Sequence, residues 1–142
     1  MASARQEEGG SVAEIEKSEK ITINVGLVDL GQIDLLVDEG FYANRTDFIR
    51  TAIRRQLESR SSAVADTVAR RTLTLGTQHL SRPYLEQLRA EGRTVELRVL
   101  GLATIADDVT PELALATIAS VEVLGAFRAP REVKAALAHR TT

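Results

Sequence analysis

Polar and apolar residues alternate along "KITINVG", residues 20–26. Such alternation predicts a half-buried strand, because successive side chains of a strand point to opposite faces. Helical patterns follow this run, so it has no obvious strand to pair with, and its free edge can accept a second strand. We therefore expect it to pair antiparallel with its own copy in a two-fold dimer. The apolar side carries Ile21, Ile23 and Val25, and the polar side carries Lys20, Thr22 and Asn24.

The pattern changes to helical spacing over "VDLGQIDLLVDEG". Asp29 and Gln32 stand in the N-cap and N3 positions of a capping box, which predicts that a first helix begins at this point. Gly40 is a natural helix stop. The predicted buried side of this helix consists of Leu30, Ile33, Leu36 and Val37.

A second helix is predicted from "NRTDFIRTAIRRQLE". Asn44 is the expected N-cap, and Asp47 at N3 favours the helix start electrostatically. Arg50 is expected to pair with Asp47, and Arg54 with Glu58, on a solvated face. The apolar face of this helix consists of Phe48, Ile49, Ala52, Ile53 and Leu57.

The strand and the two helices occupy only residues 20–58. A unit of that size buries too little apolar surface to fold alone, and usually requires a disulfide, a metal or a partner chain. The chain has no cysteine, which excludes disulfides and thiolate metal sites. A second copy of the chain is therefore the expected stabilising partner.

The second half contains an internal repeat. Leu-Gly recurs after each of three β-type runs, and a proline that opens a helical pattern follows each time. Thr110 as N-cap with Pro111 at N1 is the clearest of these helix starts. This period predicts three parallel strand-helix units over residues 72–142, joined to the first unit by a helical linker over residues 59–71. The repeated pairs are Leu75-Gly76, Leu100-Gly101 and Leu124-Gly125.

Charge is unevenly distributed along the 142 residues, although the net charge is only −2. Residues 1–19 are acidic and contain few large apolar side chains, so we expect a disordered tail. Residues 20–60 carry equal numbers of acidic and basic side chains, so a polyanion would have to bind a local surface.

Candidate catalytic chemistry is sparse. His79 and His139 have no partner in the sequence, and Asp107 and Asp108 are expected to be loop acids near a helix start. We expect no enzyme activity, no cofactor and no metal site. The absence of a long apolar run and of a signal peptide predicts a cytoplasmic protein without a membrane partner.

The strand "KITINV" and the run "GFYANRTDFIRTAIRRQL" resemble the ribbon-helix-helix domain of CopG-, Arc- and MetJ-type transcriptional regulators. The resemblance covers residues 20–58, and no family is identified for the second half. It implies a homodimer that inserts its two-stranded antiparallel ribbon into the major groove of double-stranded DNA. The predicted fold class is α+β, with an N-terminal ribbon-helix-helix domain for dimerisation and DNA binding, followed by a small α/β domain of three strand-helix repeats.

The resemblance also implies which residues contact DNA. Lys20, Thr22 and Asn24 would read bases, for which their donors, acceptors and methyl group are suited. The start of the second helix would bind phosphate through free backbone N–H groups and nearby side chains. The predicted phosphate-binding residues are Asn44, Arg45 and Thr46.

Sequence-specific DNA-binding regulation by a homodimer is thus the leading hypothesis. The balanced charge of residues 20–60 keeps a second one open, a scaffold or filament that uses the ribbon only to dimerise and residues 72–142 to assemble further or to bind a partner. An antitoxin fits less well, because the second half has strand and helix patterns throughout rather than a flexible toxin-binding tail.

Overall fold

The computed structural model describes residues 18–142, a mixed α+β fold of helices and one three-stranded parallel sheet. The mixed α+β class predicted from the sequence is confirmed. Apart from Ser18 and Glu19, the expected disordered tail lies outside the described residues. Two compact units are present, residues 18–66 and residues 67–142.

The first unit begins with residues 18–26, which form no helix or strand within the single chain. Helix α1 follows over Leu27–Asp38 with Gly26 as N-cap. The prediction of Asp29 as a capping residue is wrong, because Asp29 lies inside the first turn and no side chain caps this helix. Instead, the Gly26 carbonyl accepts the first helical hydrogen bond, from the Leu30 N–H.

The end of α1 is the one predicted from Gly40. This glycine has a φ of +84°, a conformation that glycine adopts without steric cost. Its N–H donates to the Val37 carbonyl and the Phe41 N–H donates to the Leu36 carbonyl, which is the Schellman arrangement. The chain thereby turns sharply into helix α2, Arg45–Ser59, whose N-cap is Asn44 as predicted. Helix α3, Ser61–Arg71, contains the division between the two units.

The second unit repeats a strand followed by a helix three times. The elements are β1 (Thr74–Leu80), α4 (Arg82–Ala90), β2 (Val95–Ile105), α5 (Pro111–Thr117), β3 (Ile118–Arg128) and α6 (Arg131–Leu137). The strands are parallel in the order β1-β2-β3. Ser81 and Thr110 cap α4 and α5 by accepting N–H groups three residues ahead, and Pro111 opens α5.

The core of this unit lies between one face of the sheet and the three helices. Parallel strands in sequential order with crossovers of one hand bring every helix to the same face. Leu97, Val99 and Ala103 alternate as buried residues of β2. Leu88 of α4 and Leu113 of α5 belong to the same buried cluster.

The opposite face of the sheet carries the alternate positions of each strand. Leu75, Leu100 and Leu124 lie in one row across the three strands, because the parallel register pairs them directly. Leu75 and Leu124 are exposed. Beside this row the three glycines of the repeat also pair directly, and each has a positive φ.

Candidate DNA-binding surface

The predicted base-reading residues lie in the segment that precedes α1. Lys20, Thr22 and Asn24 are all exposed. The apolar residues between them are exposed as well, with 76% of Ile21 and 67% of Ile23 accessible in the single chain. A lone chain thus places both kinds of side chain in solvent.

The rest of this unit is equally short of internal packing. Among residues 18–66 the only buried hydrophobic side chain is Ile33 of α1. Phe48 of α2 contacts Tyr42 edge-on at 5.0 Å between ring centroids, and also lines a cavity of about 320 Å³ with Ile33 and Leu36. The exposed large apolar side chains of α1, α2 and the turn between them are Leu27, Val28, Leu35, Phe41, Ile49, Ile53 and Leu57.

Two side chains cap the start of α2. The Asn44 Oδ1 accepts from the Asp47 N–H at 2.8 Å, and the Asp47 Oδ2 accepts from the Ala43 N–H at 3.0 Å. The N–H groups of Arg45 and Thr46 belong to the first turn and have no intrahelical acceptor. Both residues are exposed, and the first turn of a helix is a favourable position for an anion.

The Arg45 side chain is engaged elsewhere. Its Nε and Nη2 donate to the two carboxylate oxygens of Asp34, at 2.7 and 2.8 Å. These hydrogen bonds hold the pKa of Asp34 below its ordinary value and raise that of Arg45. The guanidinium therefore ties α2 to α1, and it can bind a phosphate only by sharing or leaving Asp34.

The ion pairs predicted along α2 are absent. Within residues 18–142, neither Arg50 nor Arg54 lies within 4.0 Å of a carboxylate oxygen. Asp47 is instead part of the N-terminal cap. Both arginines are exposed and retain their full hydrogen-bonding capacity for another acceptor.

Two findings concern metal binding and membrane-spanning helices. Among residues 18–142, no group of three or more histidine and acidic side chains could hold a metal ion. No helix in the same portion is both long and apolar enough to cross a membrane.

A family model described as the ribbon-helix-helix transcriptional regulator family matches residues 16–134. The match includes the segment before α1, both helices of the first unit and nearly all of the strand-helix unit. The resemblance read from the sequence was confined to residues 20–58, so the second half is part of the same family pattern. No curated protein and no solved structure matches the chain.

Proposed function

The chain belongs to the ribbon-helix-helix transcriptional regulator family, and from that membership we propose that it is a homodimeric regulator that binds specific DNA sequences. Two copies of residues 20–26 pair as an antiparallel ribbon. Residues 20–58 form the dimerisation and DNA-binding domain, and residues 72–142 form a separate domain for oligomerisation or partner binding.

The observation that carries the proposal is the exposed apolar surface of residues 18–66. One buried hydrophobic side chain cannot offset the conformational entropy of ordering almost fifty residues. Pairing two ribbons lays Ile21, Ile23 and Val25 of each copy against the helices, where their apolar area leaves water. At about 25 cal/mol per Å² this burial favours the dimer strongly.

The same pairing assigns the polar side of the ribbon to DNA. Asn24 can bind adenine N6 and N7 with both atoms of its amide, and Lys20 can donate to guanine O6 and N7. Thr22 offers a hydroxyl and a methyl group for thymine. Two copies present six such side chains, and the two-fold axis of the protein requires a palindromic arrangement of the half-sites.

The start of α2 supplies contacts that position the ribbon. The N–H groups of Arg45 and Thr46, with the Asn44 and Thr46 side chains, surround a site for one phosphate of the DNA backbone. Phosphate contacts carry no sequence information but make binding depend steeply on salt. The proposed phosphate role of Arg45 requires its guanidinium to exchange Asp34 for a phosphate oxygen.

A titration of labelled DNA fragments selected from genomic DNA tests the proposal. We expect binding that weakens as salt rises, with a site preference that Asn24→Ala relaxes and Thr46→Ala leaves unchanged while weakening all sequences alike. A protein that selects no fragment at low salt is not a DNA-binding regulator.

A scaffold that assembles through the second unit is the alternative, favoured by the exposed Leu75 and Leu124 on the sheet face opposite the core. Light scattering over a range of protein concentrations separates the two functions. Mass that grows with concentration, together with no DNA binding, supports the scaffold; a constant dimer mass with DNA binding supports the regulator.

A further inference from the structure

Three hydrogen-bonding side chains lie in one row at the carboxyl ends of the strands. The register pairs His79 of β1 with Thr104 of β2, and Thr104 with Arg128 of β3. Thr104 stands between the buried residues Ala103 and Ile105, so its side chain lies on the face opposite the core. With strands about 4.8 Å apart, the row spans about 10 Å.

A cleft of about 500 Å³ opens over this row. Its remaining walls come from the segments that follow β2 and β3, with Ala106 and Ala129 as small apolar surfaces and Asp107 as an exposed acid. The volume is in the range of small-molecule sites, which combine apolar walls with a few placed polar groups.

The polar groups of the row suit an anion in either tautomer of the imidazole. His79 Nδ1 lies 2.6 Å from the Thr104 Oγ1. If the threonine hydroxyl donates to Nδ1, the histidine Nε2–H remains as a donor; if Nδ1–H donates, the hydroxyl proton remains. Arg128 adds a guanidinium, whose planar donors match the two oxygens of a carboxylate.

We infer that this cleft binds a small hydroxy or amino carboxylic acid. Its carboxylate lies on the row formed by His79, Thr104 and Arg128, and its hydroxyl or amino group donates to Asp107. Ala106 and Ala129 supply the apolar surface against which its carbon chain packs. The site shares no residue with the proposed DNA contacts. The inference therefore does not depend on whether the chain binds DNA.

Isothermal titration of the full chain with lactate, malate and glutamate tests the inference, with acetate and inorganic phosphate as comparison probes. We expect saturable binding of at least one of the first three, with acetate weaker because it lacks a group for Asp107. Loss of a charged hydrogen bond in Arg128→Gln is expected to weaken binding about tenfold. His79→Ala is expected to weaken it as well, and Asp107→Asn is expected to reduce the advantage over acetate.

Arg89→Gln is the matched control, since it removes an exposed guanidinium from α4 away from the cleft. It should leave binding unchanged, and circular dichroism should show that Arg128→Gln keeps the wild-type fold. Absence of saturable binding by all three acids overturns the inference. Phosphate binding as tight as that of the acids, or equal effects of Arg89→Gln and Arg128→Gln, overturns the assigned ligand class.

Discussion

Gly101 lies directly beside Gly76 across the β1–β2 register, and a Cβ atom at Gly101 would come within 2.1 Å of the Gly76 carbonyl oxygen. Gly125 stands in the same relation to Gly101, also at 2.1 Å. Glycine at positions 101 and 125 is therefore a packing requirement, because β2 and β3 can each approach the preceding strand at this point only without a side chain. At Gly76, where no atom lies within 4 Å of an added Cβ, the φ of +123° alone favours glycine.

Gly101→Ala is expected to destabilise the strand-helix unit by several kcal/mol, because it adds a backbone clash to the strain of a φ of +138°. Hydrogen exchange of β2 and β3 amides in the full chain measures the effect on this unit. Gly76→Ala is the matched control: its φ is +123° but no atom lies within 4 Å of the added Cβ. It should cost only the backbone strain, about 1–3 kcal/mol; equal losses in the two variants would contradict the clash.

The pair between Arg45 and Asp34 predicts a pH dependence for the first unit. The Arg45 hydrogen bonds hold the pKa of Asp34 below its ordinary value of 3.8. A carboxyl whose pKa is lowered by folding stabilises the fold fully above its unfolded pKa, and loses that contribution as the pH falls through the folded pKa. We therefore expect acid to weaken the contact between α1 and α2 below about pH 4.

Asp34→Asn should flatten this part of the stability profile, measured by circular dichroism during urea unfolding at pH 3 to 7. Asp38→Asn, at the end of the same helix, removes an exposed carboxylate with no ion pair among the described residues. It should leave the acid-sensitive part of the profile in place.

The same two variants test phosphate binding: if Arg45 exchanges between Asp34 and DNA, Asp34→Asn should tighten DNA binding and Asp38→Asn should tighten it less.

Arg140 predicts a stability effect in the second unit. Its Nη1 donates to the carbonyl oxygens of Leu115 and Ile118, at 2.7 and 2.8 Å, where α5 ends. Arg140→Ala leaves both acceptors without this donor and is expected to destabilise the unit by about 1–3 kcal/mol. Urea unfolding measures the loss, and Arg140→Lys should recover part of it. A loss below 0.5 kcal/mol would contradict the role, since exposed arginines typically cost about that little.

Local signals in the sequence were sufficient to predict where several helices begin or end. Asn44 and Gly40 act within one helical turn, so their identity alone specifies the start of α2 and the end of α1. The prediction of Asp29 as N-cap was wrong because a helix can begin without a side-chain cap. The helix begins after Gly26, three residues before Asp29. The strand at residues 20–26 stays a prediction, because its hydrogen bonds require a second chain.

Contacts between residues on different elements could not be predicted from the spacing of residues along the sequence. Arg45 and Asp34 are eleven residues apart on different helices, whereas spacing reveals only pairs within one helix. The row of His79, Thr104 and Arg128, in contrast, is indicated by the repeat pattern of the sequence. Each residue stands four positions after the leucine of its Leu-Gly pair, so aligning the repeats brings the three together.

Ile23→Lys tests the ribbon on which the proposed function depends. Ile23 is the middle apolar residue of residues 20–26, and the proposed dimer buries it with its copy. Burying an unpaired ammonium costs several kcal/mol, so this variant should lose the dimer and with it all DNA binding. Light scattering should then give the monomer mass of 15.5 kDa.

Thr22→Lys is the control, because it adds the same charge on the polar side of the ribbon. It should keep the dimer mass and change only the DNA preference and its salt dependence. The comparison separates the two faces of one short segment, since the residues differ by a single position in the chain. A dimer that survives Ile23→Lys unchanged would show that the interface lies outside the ribbon, and the sheet face with the exposed Leu75 and Leu124 would then be the surface to mutate.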